Sequence, residues 1–328
     1  LNYQGHGLSL IEMSHRSPAF EAVFEKTRET LEALFDIPQS HEVLFLQGGA
    51  SLQFAMVPMN LGPGGLYLDT GTWSTKAAAE ANRVGEAQVV WSSAETGYDR
   101  VPQPDAIPQG AQSTYLHYTS NNTIYGTQYA YLPQTQAPLV VDMSSDFMSR
   151  PVDIAAHDLI YAGAQKNAGP SGVTILIIRK SLSRQFSGDA TVPIILRYQT
   201  QAEKDSMFNT PNTFGIWVVG LVAQWVQELG GLEAMASRNE RKAQQLYDAV
   251  DAHPLLSGHA EHDSRSEMNV TFRTASADQD KALLRHLEQY SMMGMRGHRS
   301  VGGLRASIYN AVTPDSVSLL CSALRSFG

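Results

Sequence analysis

The feature that most constrains this chain is a regular alternation over its first two-thirds: short apolar runs separated by blocks of helical spacing. PAFEAVFEKTRETLEALF (18–35) carries its apolar residues on one helical face. EVLFLQ (42–47) then reads as a strand, and LQFAMVPMNL, after GGAS, as a helix that runs through Pro58. GLYLDTG (65–71), AQVVWSS, STYLHYTS, APLVVDMSS, LIYAGA and VTILIIRK are further strand candidates, with the Ala-rich helix STKAAAEANRV (74–84) after the first of them. Short apolar strands alternating with helices predict an α/β fold, its mostly parallel sheet covered by helices on both faces.

From about residue 213 the pattern changes. TFGIWVVGLVAQWVQELGG reads as a long helix closed by Gly-Gly, and LEAMASRNERKAQQLYDAVDA as an amphipathic one. MNVTFRT and GLRASIYNA read as strands. DQDKALLRHLEQY and TPDSVSLLCSALRSF read as helices, the last with Thr313 as N-cap before Pro314. The expected division is a large domain over 1–229 and a smaller α+β C-terminal domain over 230–328. A chain of 328 residues is long enough for each to have its own core.

Composition narrows the function classes. A net charge of −8 argues against nucleic acid or an anionic membrane as the main partner, yet leaves room for a local basic pocket. The single cysteine, Cys321, allows no intrachain disulfide and fits a reducing, cytoplasmic compartment. No apolar run reaches membrane-spanning length, and LNYQGHGLSL lacks the charged start and apolar core of a signal peptide. The chain opens on Leu rather than Met and is read as a fragment, or as one whose start lies further upstream. There is no HExxH, CxxC or GxSxG, so neither a metal site nor a serine hydrolase is expected.

Four constellations can carry chemistry. GGAS follows a strand and opens a helix, so its backbone N–H groups and Ser51 can converge on an anion. Asp142 ends the strand APLVVD, and Lys166 follows LIYAGA among Ala, Gly, Pro and Ser. In open α/β sheets ligands bind beyond the carboxyl ends of strands, so the two can meet at one edge. A carboxylate there can hold a protonated ring nitrogen; a lysine depressed by burial is a nucleophile or base. Trp73, just past another strand, can stack on a flat ring. His15, Arg16, His298, Arg299 and Arg305 form a basic set suited to carboxylate and phosphate oxygens. Taken singly, each also has an ordinary structural account: a tight βα turn, a capping aspartate with a solvated turn lysine, a core tryptophan, surface arginines.

Together these stretches resemble the phosphoserine aminotransferase family of class V, fold-type I pyridoxal-phosphate enzymes. The matching blocks are MSHRS (13–17), FLQGGASLQFAMVPMNL (45–61), DTGTWS (69–74), NNTIYGTQ (121–128), VDMSSDFMSRPVD (141–153), IYAGAQKNAGPSG (160–172), SMFNTPNTF (206–214) and GHRSVGGLRASIYNA (297–311). They span nearly the whole chain in family order. The resemblance implies a fold-type I transferase and a pyridoxal 5'-phosphate cofactor. Lys166 is then the lysine that carries the cofactor, Asp142 the partner of its ring nitrogen, Trp73 the stacking aromatic and Thr123 the neighbour of its 3-hydroxyl. Ala50, Ser51 and Gln165 match phosphate-binding positions. Asn209 and Thr210 match residues that reach the neighbouring subunit's cofactor, which implies a homodimer. Arg16 resembles a grip for the substrate's carboxylate or phosphate, joined by His15, His298, Arg299 and Arg305.

The implied reaction moves the amino group of L-glutamate to 3-phosphohydroxypyruvate, in serine biosynthesis and, in some bacteria, pyridoxal phosphate biosynthesis. The alternatives are another class V aminotransferase of serine–pyruvate or alanine–glyoxylate type, and a non-catalytic relative that binds the cofactor. A cysteine desulfurase would need a loop cysteine, whereas Cys321 lies in an apolar helix. The family pattern also has a segment ahead of Leu1, with a Ser-Gly-Pro-like turn that contributes to the substrate site; that segment is expected to be absent here. QYSMMGMRGHRS reads as a trimmed loop.

Overall fold

The computed structural model describes residues 2–107, 113–184, 186 and 188–328. Seven strands build the main sheet: β1 (His41–Leu46), β2 (Gly65–Asp69), β3 (Ala87–Ser92), β4 (Leu116–Thr119), β5 (Leu139–Asp142), β6 (Leu159–Gly163) and β7 (Thr174–Arg179). Their spatial order is β1-β7-β6-β5-β4-β2-β3. Neighbours are parallel except where β7 is involved, which runs against both β1 and β6. The carboxyl ends of β2, β4, β5 and β6 therefore share one edge with the start of β7.

Side chains of a strand alternate between faces, and the sheet uses both. Val43, Phe45, Leu68, Val141, Ile160 and Ile177 enter one core; Leu44, Leu46, Tyr67, Val140, Tyr161 and Leu176 enter the other. The first core is closed by α1 (Pro18–Phe35) and the later helix Thr213–Glu228, the second by α2 (Gly49–Leu61) and α3 (Thr72–Val84). Ser17 caps α1, its hydroxyl accepting from Phe20 N with Pro18 at the first helical position. α2 runs through Pro58, as expected, to Leu61.

The C-terminal part has its own core around a three-stranded antiparallel sheet of Ser257–Gly258, Asn269–Arg273 and Leu304–Ser307. The helix Gly231–Asp251 joins the two regions. Its first turns add Leu232 and Met235 to the large-sheet core, while Leu246 and Val250 lie in the smaller one. Thr313 caps the last helix, Pro314–Arg325, by accepting from Ser316 N. Cys321 is fully buried in that helix, which gives it a packing role.

One buried cation fixes the smaller core. Lys242 is 1% exposed and its Nζ donates to the carbonyls of Ile308 and Tyr309 at 2.9 Å and of Val312 at 3.1 Å. Burial pulls its pKa down to about 8. Lys242→Met keeps the volume but strands three carbonyls. It is expected to cost roughly 2–4 kcal/mol, read as a lower midpoint in chemical denaturation.

Candidate active site

The sheet's shared edge opens into a pocket of about 150 Å³. Thr119 and Asp142 come to it from the ends of β4 and β5, and Lys166 from the turn after β6; Gly49, Ala50 and Ser51 come from the start of α2, and Trp73 from the start of α3. Asp142 and Lys166 meet because β5 and β6 are parallel neighbours, Asp142 lying opposite Tyr161.

The turn after β1 explains the glycines of GGAS. Gly48 and Gly49 both adopt positive φ, 91° and 66°, and a Cβ on Gly48 would lie 2.5 Å from Leu52. Gly48 is the N-cap of α2 and gives it no side-chain cap. The first-turn amides of Gly49, Ala50 and Ser51 thus end at the pocket, where the helix dipole favours negative charge.

α3 is anchored by Asp69 at the end of β2. Its carboxylate accepts from Ser74 Oγ at 3.1 Å and Thr75 Oγ1 at 2.7 Å. That holds Trp73 over the pocket, with Lys166 Nζ 5.7 Å and Lys76 Nζ 4.8 Å from its ring centroid.

Lys166 Nζ donates to Thr123 Oγ1 at 2.5 Å. Burial lowers its pKa to about 8, the Asp142 carboxylate opposes that shift, and Arg305 adds to it. Asp142 is 5% exposed. Burial raises its pKa, while Ser144, whose N–H donates to Oδ1 at 2.9 Å, and the charge of Lys166 pull it back. The result is an amine that can change protonation near neutral pH beside a carboxylate stripped of water.

A pH dependence of folding follows for the cofactor-free protein. Folded Lys166 binds its proton less tightly than an unfolded lysine, whose ordinary value is 10.5. Its unfavourable contribution is complete below about pH 8 and fades as pH rises from there through 10.5. Lys166→Met is therefore expected to melt higher than wild type at pH 7, with the gap closing by pH 10.5. Melting curves across that range check it.

Of the residues singled out in the sequence, Ala50, Ser51, Trp73, Thr123, Asp142, Gln165 and Lys166 line this pocket. Arg305 lies on the strand Leu304–Ser307, close enough for its charge to act on Lys166, and its Nε is buried without a partner among the described residues. Asn209 and Thr210 do not line it: both are exposed, and Gln47 Nε2 donates to Thr210 O at 2.9 Å. His15, Arg16, His298 and Arg299 lie in turns outside the pocket lining, with Arg16 and Arg299 exposed. Sequence reading passed over Thr119, Asn121, Ser144 and Ser145. The cue for the two serines was the polar run MSSD directly after an apolar strand, where a parallel sheet presents its ligands.

The lining fits a flat, anionic, ring-bearing group such as pyridoxal phosphate. It offers an uncapped helix start for phosphate, a ring to stack on, a buried carboxylate and a half-buried amine. Thr119 Oγ1 and Trp73 Nε1, both in the lining residues, are buried and make no hydrogen bond among the described residues. Among the described residues no helix is long and apolar enough to cross a membrane, and no cluster of side chains could hold a metal.

Comparison with known proteins agrees with this geometry. The aminotransferase class-V family model matches residues 1–320. The phosphoserine aminotransferase of Geobacillus kaustophilus is 47% identical over 331 residues, covering 100% of this chain and 91% of that protein. The phosphoserine aminotransferase structure from Bacillus circulans subsp. alkalophilus superposes with a TM-score of 0.96 at 44% identity, covering 100% of this chain and 91% of that one. The pyridoxal-phosphate-bound enzyme of the same name from Trichomonas vaginalis gives 0.93 at 34% identity, with 99% and 93% covered. The chain belongs to the aminotransferase class-V family and, within it, to the phosphoserine aminotransferases.

Proposed function

We propose that this chain is a pyridoxal-phosphate-dependent aminotransferase that moves the amino group of L-glutamate to 3-phosphohydroxypyruvate, giving O-phospho-L-serine and 2-oxoglutarate. The observation that carries it is Lys166 Nζ, depressed toward neutral pH, in one pocket with Asp142 and Trp73. Pyridoxal phosphate, when bound, supplies an electron sink that lets the Cα–H bond of an amino acid break.

Each residue then has a task. The amides at the start of α2, with the Ser51 hydroxyl and Gln165, bind the phosphate. Trp73 holds the ring by stacking, and Asp142 keeps the proton on the ring nitrogen. Lys166 Nζ would relay the proton from the substrate Cα to the cofactor C4′ in the first half-reaction and from C4′ back to Cα in the second, with Thr123 orienting the amine. Arg305, half-buried beside Lys166 with a partnerless Nε, grips a substrate carboxylate. Arg16, His15, His298 and Arg299, outside the lining of this protomer's pocket, are assigned to the second anionic end of the substrate on the family resemblance. Asn209 and Thr210, exposed on a loop outside this protomer's pocket, serve the pocket of a second copy, so the active form is a homodimer. With a single, buried cysteine the chain suits a cytoplasmic setting.

A coupled assay on the cofactor-loaded protein tests the reading. With L-glutamate as donor, kcat/KM for 3-phosphohydroxypyruvate should exceed that for unphosphorylated hydroxypyruvate at least about 100-fold, because a site built for phosphate leaves its donors unpaired without it. Equal use of pyruvate or glyoxylate would assign the chain to another class V aminotransferase of serine–pyruvate or alanine–glyoxylate type. Bound cofactor with no turnover would make it a binding protein only.

A further inference from the structure

We propose that Asp146, a carboxylate outside the pocket lining, is a positioning residue for Asp142 and adds its negative charge to that of Asp142 around Lys166. The inference rests on the cofactor reading above. Asp146 is fully buried, four residues after Asp142. Its carboxylate gathers three donors from separate places: the Ser120 hydroxyl, Gln128 Nε2 at 3.1 Å and the Arg150 guanidinium at 3.3 Å. Each of the three donates, so the carboxyl is held as an acceptor.

Ser120 links this group to the site. While its hydroxyl goes to Asp146, its N–H donates to the Asp142 carbonyl at 3.0 Å. Asp146 N–H donates to Met143 O at 3.2 Å and closes the turn that presents Asp142. The Ser144 hydroxyl of that turn accepts from Gly163 N at 3.0 Å, where the chain leaves β6 toward Lys166. Gln128 in turn accepts from Glu267 N at 2.9 Å, so the same carboxylate is tied to the C-terminal part. Asp146 thus ties the chain after β4 to the turn after β5, the same turn whose Ser144 reaches the end of β6.

The charged and titratable groups about it are few. Arg150 pairs with it from its own segment, Tyr118 faces it from β4, and Glu267 approaches from the C-terminal part. Lys166 itself feels Asp142, Asp146 and Arg305. The negative charge of Asp146 favours the protonated amine of Lys166 and opposes ionisation of Asp142. A carboxylate placed only for packing could be exchanged for its amide without moving either balance.

The test uses protein loaded with pyridoxal phosphate and reads the pH midpoint of its visible absorbance change. Asp146→Asn keeps the shape and removes the charge; the midpoint should move to lower pH, and kcat should fall more than KM changes. Ser120→Ala removes the bridging hydroxyl but no charge and should leave the midpoint in place. If Asp146→Asn is recovered unfolded, Asp146→Ser, which is smaller and can admit a water to the same donors, gives the same readout. An unmoved midpoint in a folded Asp146 variant, or an equal shift in Ser120→Ala, overturns the proposal. A wild-type absorbance with no pH midpoint also overturns it, and a wild type with no visible absorbance at all overturns the cofactor reading with it.

Discussion

Lys166→Ala should lower transamination by roughly four orders of magnitude and abolish covalent retention of the cofactor. Three features make this side chain irreplaceable. Its Nζ is held at 2.5 Å from Thr123 Oγ1, burial lowers its pKa to about 8, and it sits between Trp73 and the sheet edge that carries Asp142. No other lysine lines the pocket. Lys76, the second amine over the Trp73 ring, is exposed on α3 and should not substitute. The measurement is single-turnover kinetics with L-glutamate, paired with the visible spectrum of the purified variant. Melting should be preserved, because the alanine variant removes an amine that burial disfavours in its charged form.

Asp142→Asn separates function from stability. A neutral amide cannot hold the ring nitrogen protonated, so kcat should drop about 10²–10³-fold. Stability of the cofactor-free protein should hold or rise at neutral pH. Burial raises the folded pKa of Asp142 above that of an unfolded aspartate. Its favourable contribution is therefore present below the unfolded value and is lost as pH rises through the folded value. At pH 7 the buried carboxylate is a cost, and Asn removes it. Parallel assays of kcat and thermal midpoint check both halves. A variant that loses activity only because it unfolds would contradict this account.

Much of the fold was legible because strands and helices alternate in the sequence as they do in space. The two-residue period of VLFL and TILII placed Val43 and Ile175 in one core and Leu44 and Leu176 in the other. The antiparallel direction of β7 was also implicit: only residues 164–173 separate it from β6, too few for a helical crossover. Strand order was not readable, since pairing β5 with β6 rather than with β2 depends on packing across the whole sheet. That pairing brings Asp142 to Lys166 across 24 positions of sequence.

The site was legible where a residue type is unusual for its surroundings: a lysine among small residues, an aspartate closing an apolar strand, two glycines before a helix. It was not legible where the residue is common in loops. Ser144, Ser145 and Thr119 look like any polar turn or strand end until the sheet edge gathers them. Asp146 carried even less signal, because what distinguishes it is complete burial among three donors, two of which, Ser120 and Gln128, come from other segments. The family resemblance supplied Thr123, Gln165, Asn209 and Thr210. The first two line the pocket of this chain; the last two lie outside it.

The central claim is that Lys166 carries the cofactor. The most direct measurement reduces the loaded wild-type protein with borohydride, digests it and locates the pyridoxyl mass by peptide sequencing in a mass spectrometer. The account predicts the label on Lys166, within the peptide that contains AGAQKNAGPSG. A label on another lysine, or an unlabelled Lys166 in protein that still turns over, would contradict it.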